Sequence, residues 1–214
     1  MRILQVVHGF PPAASGGTEV YVRDLAAALA ASGDDDVMVF TREADLHRPE
    51  LSVRSSADGP VRVTTVNNTF QSCASFEASY ANPAIERVAG DVLDDWLPDV
   101  VHVHHLTCLS TGIPRQAARR GIPVVLTLND YWLLCHRGQL VDLDGRRCEG
   151  PFEGGCARCL PPGVLVSAAA FRAAVELRLA NLEREVGDLK GRLNGLIFVV
   201  LGAVISQVVL RVMV

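Results

Sequence analysis

Three groups of residues in this chain have the types and spacing to do chemistry. The first is cysteine: Cys135, Cys148, Cys156 and Cys159 are separated by 12, 7 and 2 residues. A Cys-x-x-Cys turn chelates, and two further thiolates complete a tetrahedral S₄ set, so the segment is a candidate structural zinc site, with free thiols or disulfides as the alternatives. The second is the run His102-Val103-His104-His105. His102 and His104 share one face of a strand and His105 points to the other, which suits contact with a substrate, satisfied structural imidazoles, or a two-ligand metal site. The third is Ser15-Gly16-Gly17-Thr18, after the apolar run Ile3 to Val7 and the pair Pro11-Pro12. Gly16 and Gly17 let a ligand approach the backbone, and Thr18 is a candidate N-cap of the next helix. Free N–H groups and a positive dipole end there would suit a phosphate. The alternative is a strand-to-helix turn that needs glycine for its geometry.

These residues require a scaffold, and the hydrophobic pattern supplies one. Ile3 to Val7, Val37 to Phe40, Val61 to Val66, Val100 to His104 and Ile122 to Leu128 read as strands, with Thr41 to Pro60 as loop. Helices follow from Thr18, from Asn82-Pro83 with Ile85, Val88, Ala89, Val92, Leu93 and Trp96 on one face, and over Gly112 to Arg120. Alternation of strands and helices implies a parallel, doubly wound sheet, in which ligands bind beyond the carboxyl ends of the strands. Three strands end at His8-Gly9, His104-His105 and Asn129-Asp130, so polar groups collect at that edge. His104, nearest its strand end, is the expected substrate contact. Asp130 either orients an acceptor hydroxyl or caps nearby N–H groups.

The chain has 214 residues with a formal net charge of -4, which offers no surface for nucleic acid. Its first apolar run is short and meets two prolines, unlike a cleavable signal. The pattern changes near Val164. Val175, Leu179, Leu182, Val186, Leu189, Leu193 and Leu196 follow an a/d heptad, which reads as a stalk able to self-associate or as one amphipathic helix packed on the sheet. Gly195 to Val214 carries a single charge, Arg211, and is long enough to cross a bilayer, with Lys190 and Arg192 just before it. The expected organisation is therefore α/β: a Rossmann-like parallel sheet domain over 1–163, then a long C-terminal helix forming a stalk over 164–194 and a transmembrane anchor over 195–214. Such a protein would sit on the cytoplasmic face of the membrane.

Taken in order, four pieces resemble the N-terminal domain of glycosyltransferase family 4, enzymes of the GT-B fold. They are Phe10-Pro11-Pro12 with Ser15-Gly16-Gly17-Thr18-Glu19, then Pro98 to Leu106, then Gly121 to Trp132, and the segment from Cys135-His136-Arg137-Gly138 to Cys159. The resemblance implies transfer of a sugar from a nucleotide-sugar donor to a glycan or lipid-linked acceptor, with this domain on the acceptor side. It places Gly16, Gly17, Thr18, His105 and Asn129 against substrate or phosphate, with His104 and Asp130 as catalytic residues. Asn129 stands where family members often carry histidine, and an amide cannot act as a general base. The family's donor-binding domain is not matched, so a separate donor-binding polypeptide is an expected partner, and the chain alone is not expected to transfer sugar. The alternative is a non-catalytic, membrane-anchored binding or scaffold protein that keeps the fold.

Overall fold

The computed structural model describes residues 1–70, 78, 80–135, 137–150 and 156–159. The strands are β1 (Arg2–Val6), β2 (Asp36–Glu43), β3 (Val53–Asp58), β4 (Val61–Asn67), β5 (Val100–Val103) and β6 (Val124–Leu126). The helices are α1 (Gly17–Ala31), α2 (Pro83–Trp96) and α3 (Ile113–Arg119). The strands form one 6-stranded sheet in the order β3-β4-β2-β1-β5-β6. β1 is central: Gln5 lies between Val39 of β2 and His102 of β5.

Helices on both sides explain why the central strands are apolar without alternation. On one side Val7, Phe10, Val37, Val39, Val61 and Val63 pack under Val22 and Ala26 of α1. On the other, Leu4, Val6, Phe40, Val101 and Val103 meet Ile85, Ala89 and Leu93 of α2 and Ile113 and Ala117 of α3. The start of α2 is fixed as its sequence indicates: the Asn82 side chain accepts hydrogen bonds from the N–H groups of Ala84 and Ile85, and Pro83 opens the first turn.

Four expectations need correction. The sheet is mixed, because β3 runs antiparallel to β4. That strand lies inside the stretch expected to be loop; its exposed Val-Arg-Ser-Ser-Ala-Asp sequence has no apolar alternation, and pairing with β4 through the Gly59-Pro60 turn holds it. Gly59 has φ +58, as the first position of a two-residue hairpin turn can require. The N-cap of α1 is Gly16, so Thr18 lies within the first turn and no side chain caps the helix. The strand expected over Ile122 to Leu128 pairs only over Val124–Leu126. Among the described residues, no helix is long and apolar enough to cross a membrane. The stalk, 164–194, and the anchor, 195–214, lie outside the described residues.

Candidate functional site

The chain leaves β1 toward β2 and β4, then returns through α2 to place β5 on the other side of β1. Connections therefore diverge between the carboxyl ends of β1 and β5, the point where open α/β sheets leave a crevice. His8 follows β1 and His105 follows β5, and their rings meet there with centroids 4.2 Å apart.

Each ring is tied to a carboxylate. His8 Nε2 lies 3.1 Å from Glu19 Oε1, and His105 Nε2 lies 3.2 Å from Asp130 Oδ2. The His105 tautomer follows from its surroundings: Nδ1 accepts the Thr107 N–H at 3.1 Å, so the proton sits on Nε2 and is donated to Asp130. Asp130 is itself fixed, its Oδ1 accepting the Trp132 N–H at 2.9 Å, while the Trp132 ring stacks on His105 at 4.9 Å. Burial lowers His105 to about 4, helped by His8 and opposed by Asp130. Burial also lowers His8, with Glu19 and Asp130 opposing and Arg42 assisting. Both imidazoles are thus neutral near pH 7. With Nε2 donating to Glu19, His8 Nδ1 is left as an acceptor, buried and without a hydrogen-bond partner among the described residues.

The glycine loop shapes the other wall. Glu19, in the first turn of α1, is buried and folds back over the loop. A Cβ on Gly16 would come within 2.5 Å of Glu19 Oε2, so that glycine makes room for this carboxylate. A Cβ on Gly17 would meet nothing within 4 Å, so the space beside Gly17 is open. On the far wall Gly138 has φ +73, and a Cβ there would lie 2.9 Å from Asp130 Oδ2.

The expected site residues separate into two sets. Gly16, Gly17, His105 and Asp130 gather at the switch point, Thr18 stands one position along the helix, and Asn129 is exposed beside Asp130. His104 lies beneath the surface at 0% exposure. Its Nε2 bonds Gln5 Oε1 at 2.6 Å on the α1 side of the sheet, its ring is 4.0 Å from that of His102, and His102 Nε2 bonds Thr127 Oγ1 at 2.8 Å. Burial, reinforced by His102, lowers His104 to about 3. His8, Glu19, Trp132 and Gly138 complete the cluster without having been singled out as site residues. The signal for Glu19 was its place three residues after Gly16, at the helix end where a carboxylate is favoured.

The zinc expectation is not met. Among the described residues, no three or more His, Cys, Asp or Glu side chains are gathered as metal ligands, and none of Cys135, Cys148, Cys156 and Cys159 is joined in a disulfide. Two of these sulfurs have other partners. Backbone N–H groups of residues 137–140 turn toward Cys135, and Cys148 Sγ donates to the Gly150 carbonyl at 3.4 Å.

A doubly wound sheet with imidazoles and carboxylates paired at its switch point defines a Rossmann-like domain with a polar ligand edge. The chain belongs to the glycosyl transferase 4-like domain family, whose profile matches residues 16–181. Among solved structures it is similar to an α,α-trehalose-phosphate synthase (UDP-forming) from Burkholderia xenovorans in complex with glucose-6-phosphate. That likeness has 19% identity over 61% of this chain and 34% of the other, with a TM-score of 0.42. A sucrose-phosphate synthase from Thermosynechococcus elongatus is similar at 22% identity over 58% and 31%, with a TM-score of 0.40. A trehalose-6-phosphate structure from E. coli bound with UDP-2-fluoro glucose is similar at 17% identity over 61% and 33%, with a TM-score of 0.42. The aligned part is about a third of the length of these solved proteins. No curated protein matches the sequence significantly.

Proposed function

We propose that this chain is the acceptor-side half of a GT-B glycosyltransferase, which passes a sugar from a nucleotide-sugar to a glycan or lipid-linked acceptor. The observation that carries this is the His8–His105 contact, which draws Glu19 and Asp130 to one edge at the switch point. Sugar transfer needs an acceptor hydroxyl oriented and relieved of its proton. Asp130, half-buried and held at both oxygens, is the group to accept that proton. His105 fixes it, and Glu19 holds His8 against His105. His104 works from below, holding the end of β5 through Gln5. Exposed Asn129 offers an amide to sugar oxygens. The open space beside Gly17 leaves room for part of the donor, brought by a second domain or polypeptide that supplies the cations its phosphates need.

Binding of the full chain to a glycan array tests this reading. A restricted set of glycans should bind, and both His105→Ala and Asp130→Ala should abolish binding. No bound glycan, or binding indifferent to both substitutions, would overturn it.

Membrane attachment on the cytoplasmic side belongs to the same proposal and rests on the sequence of Gly195 to Val214 and the heptad before it, which would also bring two copies together. The chain should stay in the pellet after alkaline carbonate extraction; release into the supernatant would sink this part.

A further inference from the structure

We propose that the acceptor edge takes an uncharged, hydroxyl-rich sugar and turns away phosphorylated sugars. The inference rests on the acceptor-side reading above and narrows its substrate class. The edge holds two carboxylates, Glu19 and Asp130, against two imidazoles: the Thr107 N–H bond at Nδ1 holds His105 neutral, and burial favours the neutral form of His8. Arg42 is the cation that acts on His8, and its Nε donates to the Asn68 carbonyl at 2.9 Å while its guanidinium lies 5.1 Å from the Phe70 ring centre. The neighbouring Arg48 and Arg54 are held by carboxylates: Arg54 by Glu43 at 2.7 Å and Arg48 by Asp45 at 3.1 Å.

The α1 N-terminus, where an anion would otherwise be welcome, has Glu19 in its first turn with one oxygen against Gly16. A phosphate dianion entering between Glu19 and Asp130 would meet like charge on both sides, while Arg48 and Arg54 are already paired with carboxylates and Arg42 is turned to the Asn68 carbonyl and the Phe70 ring. A sugar hydroxyl meets the opposite. Asp130 uses one bond at each oxygen, so further lone pairs remain to accept O–H donors. A divalent cation could also answer the two carboxylates, but no metal-ligand group is assembled among the described residues.

Imidazole proton resonances of the full chain, in sugar-free detergent where one is needed, provide the test. Maltose and glucose 6-phosphate serve as probes, and the histidines are assigned by substitution. Maltose should shift the His8 and His105 signals, with glucose 6-phosphate binding about tenfold more weakly, as like charges at a partly exposed site require. Glu19→Gln, which keeps the shape, should narrow that gap, and Asp130→Asn, at a more exposed position, should do the same if the first variant folds poorly. Tighter binding of glucose 6-phosphate than of maltose would overturn the inference and leave the acceptor-side reading standing. Shifts by neither probe would overturn both. A gap unchanged in both variants would remove the carboxylates as its cause and so reject the inference.

Discussion

Buried imidazoles make the stability of this domain depend on acid. His104 is lowered from 6.5 to about 3 and His105 from 6.5 to about 4, in each case mainly by burial. The unfolded chain takes up these protons near 6.5, so below that pH it binds more protons than the folded chain, and stability rises with pH across the interval. Stability from these groups is complete above 6.5 and is lost as pH falls toward 4 and then 3. Urea unfolding over a pH series should show this slope, and His104→Gln should flatten it whatever its effect on the plateau. An unchanged slope would assign acid sensitivity to other groups. A second residue has a separate signature. Burial raises the Cys135 thiol, but the N–H groups of Leu140, Gln139, Arg137 and Gly138 outweigh it and bring it below 9.0. Cys135 should therefore be among the first thiols modified near neutral pH. Peptide mapping after brief alkylation checks this, and Cys135→Ser should remove the fast phase.

At the scale of the element, caps and turns carry predictions with defined costs. Asn82→Ala removes the acceptor for two N–H groups at the start of α2 and should cost about 0.5–2 kcal/mol. Gly138→Ala imposes a side chain at φ +73 and presses on Asp130, so it should cost about 1–2 kcal/mol and disturb His105 as well. Glycines of the first loop should behave unequally. Gly16→Ala must displace the Glu19 carboxylate, whereas Gly17→Ala faces open space and should leave the urea midpoint nearly unchanged. Equal losses at the two positions would contradict the placement of Glu19. The elements also explain which strands could be read early. β1, β2 and β5 are covered on both faces and so carry runs of Val with Ile, Leu, Met and Phe. β3 is an exposed edge strand defined by its partner, and its residues taken alone suit a loop equally well.

For the described domain as a whole, one sheet joins two hydrophobic clusters, and both tryptophans, Trp96 and Trp132, report on the same one. Cooperative unfolding predicts that a cavity on the silent face is still seen by them. Val22→Ala, under α1, should lower stability by about 0.5–3 kcal/mol, with the same midpoint by tryptophan fluorescence and by far-UV circular dichroism. Separate midpoints would mean that the two faces melt independently. The same architecture places the site. Its residues come from β1, α1, β5 and the segment after β6, and they meet because β5 inserts beside β1 after the chain has travelled to β4.

The sequence by itself determined the α/β class, the order of the central elements, the cap of α2 and the edge on which polar groups collect. Each depends on short-range pattern: apolar runs, helical spacing, an Asn-Pro start. It also displayed the residue types of the site. Which of two adjacent histidines faces the crevice was settled only by tertiary structure. The His104 N–H still bonds the Val6 carbonyl at 2.9 Å, so His104 remains in the ladder with its side chain under α1. His105 has left the ladder and can turn to Asp130 and Trp132. Tertiary structure likewise decided what the glycine loop accommodates, because the fold of Glu19 back toward His8 depends on β1 ending beside the start of α1. Cysteine spacing implied a metal set, yet spacing measures distance along the chain, and convergence of four sulfurs is a property of the folded loop.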